Sequence, residues 1–114
     1  MANPSTTGAG GAGTEVLRRA YLDGNGAATT QILEGVANHI YTILSITFCD
    51  QQNAAGTISI WVNDVRLLRF HAHDAQATFT WNDRFVMTDG DDLDVANTVN
   101  EGDWWVTYID QQVA

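Results

Sequence analysis

Two histidines separated by one residue are the first candidate for chemistry in this sequence. His71 and His73 stand at positions i and i+2, so in a strand both rings point to one face and could share a metal ion. A motif of that kind has a glycine upstream and a glutamate downstream, whereas Val65 occupies the upstream position and residues 74–81 contain no glutamate. A third ligand would have to come from elsewhere, and His39 is the only other histidine. We therefore expect no metal site and interpret the pair as part of a polar loop or strand edge.

An acidic cluster at residues 89–94, Asp-Gly-Asp-Asp-Leu-Asp, is the second candidate. An EF-hand calcium loop needs an oxygen ligand at its fifth position and glycine at its sixth. Leu93 and Asp94 occupy those positions, which excludes that loop and leaves only a looser calcium site open. Asp-Gly favours a tight turn. The cluster therefore predicts a hairpin between two strands, with the remaining aspartates in solvent.

No other pattern predicts catalysis. The 14 acidic residues contain no distinguished pair for glycoside hydrolysis, and no Gly-x-Ser-x-Gly nucleophile motif occurs. The glycines of residues 8–13 are followed by neither Lys-Ser nor Lys-Thr, so they do not form a phosphate-binding loop. Cys49 is the only cysteine, which excludes an intrachain disulfide, and we expect it to pack as a small apolar side chain. The sequence predicts neither an enzyme nor a bound cofactor.

The charge is strongly negative. A formal net charge of −9 arises from 14 acidic residues against five arginines and no lysine. Such a chain repels phosphate, so we expect neither nucleic acid nor an anionic membrane as a partner. No apolar stretch approaches the length of a membrane span, and no secretory leader is recognised. We expect the protein to be made and assembled in a reducing cytoplasm.

Alternation of apolar and polar residues dominates the sequence from His39 to Ile109. This period of two, with many β-branched and aromatic residues, predicts strands. We expect about eight short antiparallel strands in a β-sandwich or jelly roll, forming one domain over residues 14–114. In the strand from residue 39, even-numbered residues from Ile40 to Phe48 are expected on one face and odd-numbered residues on the other. Residues 1–13, rich in glycine and alanine, predict either a flexible tail or an arm that orders on a neighbouring subunit.

Four tryptophans are many for 114 residues. Trp104 and Trp105 are adjacent, so in a strand one should fill the core and the other should reach an outer face. We name Trp61, Trp104 and the basic pair Arg18 and Arg19 as candidate subunit contacts, because tryptophan and arginine are enriched at interfaces. An exposed tryptophan such as Trp61 could instead stack on a sugar.

Residues 40–109 resemble small virion proteins of tailed bacteriophages. The shared pattern has strands like 41–50 and 56–62, then a Gly-Asp turn before a Leu-x-Val strand at 90–95, and an aromatic last strand at 104–109. The resemblance implies a β-sandwich subunit, often trimeric, that decorates or cements a capsid or belongs to a tail or head-to-tail adaptor. Its partners would be further copies of itself and a major capsid protein or another virion protein, and its location would be the virion, assembled in the host cytoplasm. A carbohydrate-binding module is the alternative from a different functional class.

Overall fold

A computed structural model describes residues 15–113 of the chain, and this part is all-β. Nine strands form two antiparallel sheets, which confirms the predicted architecture. The bounds are β1 Glu15–Asn25, β2 Thr29–Glu34, β3 His39–Asp50, β4 Gly56–Val62, β5 Val65–His73, β6 Thr78–Trp81, β7 Phe85–Met87, β8 Asp92–Asn97 and β9 Gly102–Gln112. The predicted N-terminal arm, residues 1–13, lies outside the described residues.

The strand order is that of a jelly roll. Sheet A has the order β1-β9-β3-β6, with β7 also paired to β3, and sheet B has the order β2-β8-β4-β5. Since β6 and β7 both pair with β3, at Ile46–Cys49 and at Tyr41–Ile43 respectively, they act as one edge strand interrupted at residues 82–84. Counted in this way, there are eight strands, in agreement with the expected number.

Strand β3 does not keep the simple alternation that its sequence predicts. Its pairing with β9 shifts between Ile43 and Ser45, which leaves Leu44 as the extra residue of a β-bulge. Tyr41 and Ile43 point into the core before the bulge, and Ile46, Phe48 and Asp50 do so after it. The prediction that even-numbered residues share one face along the whole of β3 is therefore wrong, because the extra residue reverses which side chains point inward.

The core lies between the two sheets. Its largest fully buried side chain is Trp104, which packs on Phe48 with ring centroids 4.9 Å apart. The remaining buried apolar residues come from β3, β4, β7, β8 and β9 and from the loop at Val99: Tyr41, Ile43, Ile46, Ile58, Ile60, Met87, Leu93, Val95, Val106 and Tyr108.

Two local predictions are wrong for identifiable reasons. The turn at 89–91 does not close a hairpin, because β7 before it lies in sheet A and β8 after it lies in sheet B. The chain therefore passes from one sheet to the other there, with Gly90 at φ 83°. The strand that the sequence predicts over residues 65–70 continues to His73 as β5, because register shifts in its pairing with β4 and a φ of 44° at Phe70 accommodate the polar residues. The sequence also favours a two-residue turn at Asn63-Asp64, and this turn joins β4 to β5.

Candidate functional site

The outward surface of sheet A has an uncharged central region. We call this surface the neutral face and define it by the side chains that alternate with the core residues: Glu15, Leu17, Arg19, Tyr21 and Asp23 of β1; Asp103, Trp105, Thr107, Ile109 and Gln111 of β9; Ile40, Thr42, Ser45, Thr47 and Cys49 of β3; Thr78 and Thr80 of β6; and Val86 of β7. Its charged members are Glu15, Arg19, Asp23 and Asp103, and all of them except Arg19 lie near the ends of β1 and β9. Asp103 is tied to the β1 turn through a hydrogen bond from Gly24 N at 2.8 Å. An uncharged central region with exposed aromatic rings beside it is typical of a protein interface.

An aromatic cluster stands on this face. Tyr21 lies directly opposite Trp105 in the β1–β9 ladder, and their rings stack at 5.5 Å with an interplanar angle of 18°. The guanidinium of Arg19 lies over the indole, 5.2 Å from its centre. Tyr21 is 58% exposed and Trp105 is 41% exposed, so both rings remain available to a partner. Large side chains already held by their neighbours lose little conformational entropy when a partner binds.

The tryptophan pair divides between core and surface, as the alternation predicts. Trp104 is 1% exposed, and its Nε1–H donates to Asn97 Oδ1 at 3.0 Å inside the core. A side chain enclosed in this way within one subunit does not present area to another. Of the two tryptophans, Trp105 is therefore the one that a partner can contact.

Arg18 and Arg19 point to opposite sides of sheet A. Arg19 belongs to the neutral face, whereas Arg18 Nε donates to the nearly buried carboxylate of Asp110 at 2.8 Å. His39 Nδ1 lies 2.6 Å from the second oxygen of the same carboxylate. Burial and the negative charge of Asp110 together raise the pKa of Tyr41 above its ordinary value. The cluster ties β1 and β3 to β9, so Arg18 has a structural role within the subunit.

Trp61 lies on the outward side of sheet B, at a shallow groove of about 430 Å³. Arg66 covers its ring, with the guanidinium 4.5 Å from the ring centre, and also lies 4.9 Å from the ring of Phe70. Phe70 is 56% exposed, and its backbone N–H donates to Ser59 Oγ at 3.0 Å across the bulged part of β5. The sequence pattern did not identify Arg66 and Phe70, because the bulges break the alternation of β5.

The two histidines of β5 are not arranged as a shared metal site. His71 is exposed and packs on Phe79 with ring centroids 4.5 Å apart, whereas His73 is buried against Phe48. His73 Nδ1 lies 2.9 Å from the carbonyl of Asp74. Within residues 15–113, no group of three or more His, Cys, Asp or Glu side chains has the arrangement to hold a metal ion.

The acidic turn uses Asp91 as a structural acceptor. Its carboxylate accepts hydrogen bonds from Thr88 N at 2.8 Å and from Asn63 Nδ2 at 2.9 Å. These donors hold the pKa of Asp91 below its ordinary value. In contrast, burial and the neighbouring charge of Asp92 raise the pKa of Asp94. One carboxylate of the acidic cluster thus holds the connection between the two sheets.

Asp50, the last residue of β3, is also a structural hydrogen-bond acceptor. Its carboxylate accepts backbone hydrogen bonds from Gln52 at 2.9 Å, Ala54 at 3.0 Å and Gln76 at 2.8 Å. Burial by itself raises the pKa of this carboxyl group, but the three backbone donors outweigh that effect and bring it below its ordinary value. Cys49, the residue before it, was expected to pack as a small apolar side chain; it is partly buried and lies on the neutral face.

Comparison with known proteins gives a likeness of fold. No family model and no curated protein matches the sequence. A chain of the acidic stable capsid structure of Helicobacter pylori bacteriophage KHP30 matches with a TM-score of 0.56 at 8% identity, over 91% of this chain and 92% of that chain. A chain of Bacillus endospore appendages, described as disulfide-linked pili, gives a TM-score of 0.47 at 18% identity, with 93% and 95% covered. A chain of infectious bursal disease virus strain Gx gives 0.43 at 8% identity, with 90% and 38% covered.

The KHP30 likeness extends over nearly the whole of both chains, so it concerns the two-sheet framework as a unit. At 8% identity it shows a common fold and assigns no role to individual residues. Residues 15–113 also contain no helix that is long and apolar enough to cross a membrane. Because the likeness is one of fold, the charge and polarity of this protein's surface follow from its own side chains.

Proposed function

We propose that this protein is a non-enzymatic structural subunit of a virus particle, of the capsid decoration or cement type. The observation that carries the proposal is the neutral face, with Tyr21 and Trp105 exposed beside its β1 edge in a chain of net charge −9. Aromatic residues and arginine dominate binding energy at protein interfaces. The fold shared with a chain from a phage capsid structure supports a place in a virion. A tail or head-to-tail adaptor would use the same face against a different virion partner.

Binding to the particle tests this proposal. Particles produced by the source of this gene should contain the protein, as measured by mass spectrometry of gradient-purified material. Particles stripped of it should bind it again, and Trp105→Ala should weaken that binding by about 30-fold, the effect of losing one interface hot spot of about 2 kcal/mol. Phe70→Ala on sheet B is the matched control, since it removes an aromatic side chain of similar exposure from the opposite surface. Purified particles without the protein, or equal losses for both variants, would contradict the proposal.

A carbohydrate-binding module is the second candidate, and the groove beside Trp61 favours it. The groove is lined by hydroxyl groups of Thr29, Thr57 and Ser59 as well as by the indole. However, Arg66 lies over the ring face on which a sugar would stack. A glycan array decides between the two candidates. Sugar binding that is lost in Trp61→Ala and kept in Trp105→Ala would support the module, and no binding to any glycan would remove it.

A further inference from the structure

The outer edge of β1 differs from the other three sheet edges. Within residues 15–113, β1 pairs with β9 on one side and has no strand on the other. An unpaired edge presents backbone N–H and C=O groups that can bind another strand. Edges that do not pair are usually shortened, bulged or interrupted.

Those protective features are present at the other edges. Strand β5 has register shifts and a φ of 44° at Phe70. Strand β2 has six residues and a register shift of its own. The far edge of sheet A is divided between β6, with four residues, and β7, with three. Strand β1 is 11 residues long and pairs with β9 without irregularity from Glu15 to Leu22.

We propose that β1 pairs antiparallel with β1 of a second copy of this chain, about a two-fold axis at Ala20. This inference is independent of the proposed function, because it rests on the edge of sheet A and leaves the neutral face exposed. The two copies of sheet A would form one continuous sheet across the axis. Main-chain hydrogen bonds supply the affinity in such strand addition, and the facing side chains supply the register.

The charge pattern of β1 selects this axis. With Ala20 opposite its own copy, the whole of β1 finds partners within β1, and Arg18 faces Leu22 of the second copy. Arg19 then faces Tyr21 of the second copy, so a guanidinium meets an aromatic ring twice by symmetry. An axis at Arg18 or Arg19 would place two arginines directly opposite each other, which is destabilising.

The neighbouring axes that do not place two arginines opposite each other leave more residues of β1 without a partner. An axis at Leu17 leaves the half of β1 beyond Arg19 without a partner in the described chain. An axis at Tyr21 places Glu15 and Val16 opposite residues 27 and 26, which lie beyond the end of β1. At Ala20, moreover, the aromatic clusters of the two copies become adjacent, because Arg19 already lies over Trp105 and Tyr21 stacks on the same ring.

Sedimentation equilibrium on the full chain tests the association. We expect a species of twice the chain mass, and Tyr21→Arg should raise its dissociation constant by at least about tenfold, because the new arginine faces Arg19 of the second copy at two symmetric places. Val86→Arg is the control, since it adds the same charge to the neutral face at the far edge of sheet A and should leave the dimer unchanged. A monomer at all concentrations, a trimer, or equal effects of both variants would overturn the proposal.

Cysteine cross-linking tests the register, in a Cys49→Ser background. A mixture of Arg19→Cys and Tyr21→Cys proteins should form a disulfide-linked pair, because directly opposite side chains come within about 5 Å. Neither variant should cross-link to itself. Self-linking of Leu17→Cys or of Tyr21→Cys would place the axis at that residue and overturn the register. The deletion of residues 2–13 should leave dimerisation unchanged, and its loss would overturn pairing through β1 alone.

Discussion

Asn97 connects the core tryptophan to the loops at one end of the sandwich, and its removal gives the sharpest test of the fold. The side chain is 3% exposed. Its Oδ1 accepts a hydrogen bond from Trp104 Nε1 at 3.0 Å, and its Nδ2 donates to Val99 O at 2.8 Å, both in buried surroundings. Asn25 contributes further, partly buried bonds on both sides of the amide. Asn97→Leu keeps the number and branching of the side-chain heavy atoms but removes every one of these bonds.

The expected loss follows from the two buried partners. An unsatisfied buried donor or acceptor costs about 1–3 kcal/mol, so leaving the indole N–H and the Val99 carbonyl without partners should reduce the free energy of unfolding by about 2–6 kcal/mol. This is a large part of the roughly 5–15 kcal/mol that stabilises a domain. Urea denaturation followed by far-UV circular dichroism measures the change without depending on tryptophan emission.

A double-mutant cycle identifies the cause of the loss. Trp104→Phe removes the indole N–H, so Asn97→Leu should cost about 1–2 kcal/mol less in that background than in the native protein. Additive effects of the two substitutions would refute the assignment of the hydrogen bond. A loss below about 0.5 kcal/mol for Asn97→Leu alone, the size of an ordinary surface substitution, would refute the wider argument that this amide holds the core to its loops.

Three further predictions concern other parts of the molecule. The pKa of Asp50 is lowered in the folded protein, so its stabilising effect should be complete above about pH 4 and lost as the pH falls through the folded pKa. The stability difference between native protein and Asp50→Asn should therefore shrink on acidification. Gly102→Ala should cost about 1–3 kcal/mol, because its methyl group would overlap the Phe48 ring in a packed core. Maleimide should label Cys49 in the free subunit and label it more slowly in bound particles.

A control variant or a contradicting result can be named for each of these predictions. Gly26→Ala adds a methyl group with nothing within 4 Å, so thermal unfolding should show little change. A gap between native protein and Asp50→Asn that stays constant to low pH would contradict the hydrogen-bonded carboxylate. Equal labelling of Cys49 in free and bound protein would contradict docking through the neutral face.

Alternation predicted the existence of most strands but not the side that each residue occupies. In β3 the period of two is visible from His39 onward, yet the bulge at Leu44 reverses the facing of the first half. A bulge adds one residue without any distinctive residue type, so the sequence gives no signal for it. For the same reason, the last residue of β5 could not be predicted from the sequence. A positive φ at Phe70 allows pairing to continue to His73.

The contact surface was only partly predictable for a related reason. Alternation showed that Trp104 and Trp105 must point in opposite directions, but only the packing between the sheets decides which of them is enclosed. Tyr21 was not singled out, because the sequence around it fitted either a short strand or a helical turn. Its partner Trp105 lies 84 positions further along the chain, so no local pattern could join the two.

The single step along β9 from Trp104 to Trp105 also gives the protein two optical reporters. The first indole is enclosed and hydrogen-bonded, so its emission should follow unfolding of the interior. The second is solvent-accessible beneath a guanidinium, so added iodide should quench it while the first indole stays bright. In a Trp61→Phe, Trp81→Phe background, assembly and denaturation can then be followed as separate spectral events in one sample, without an added dye.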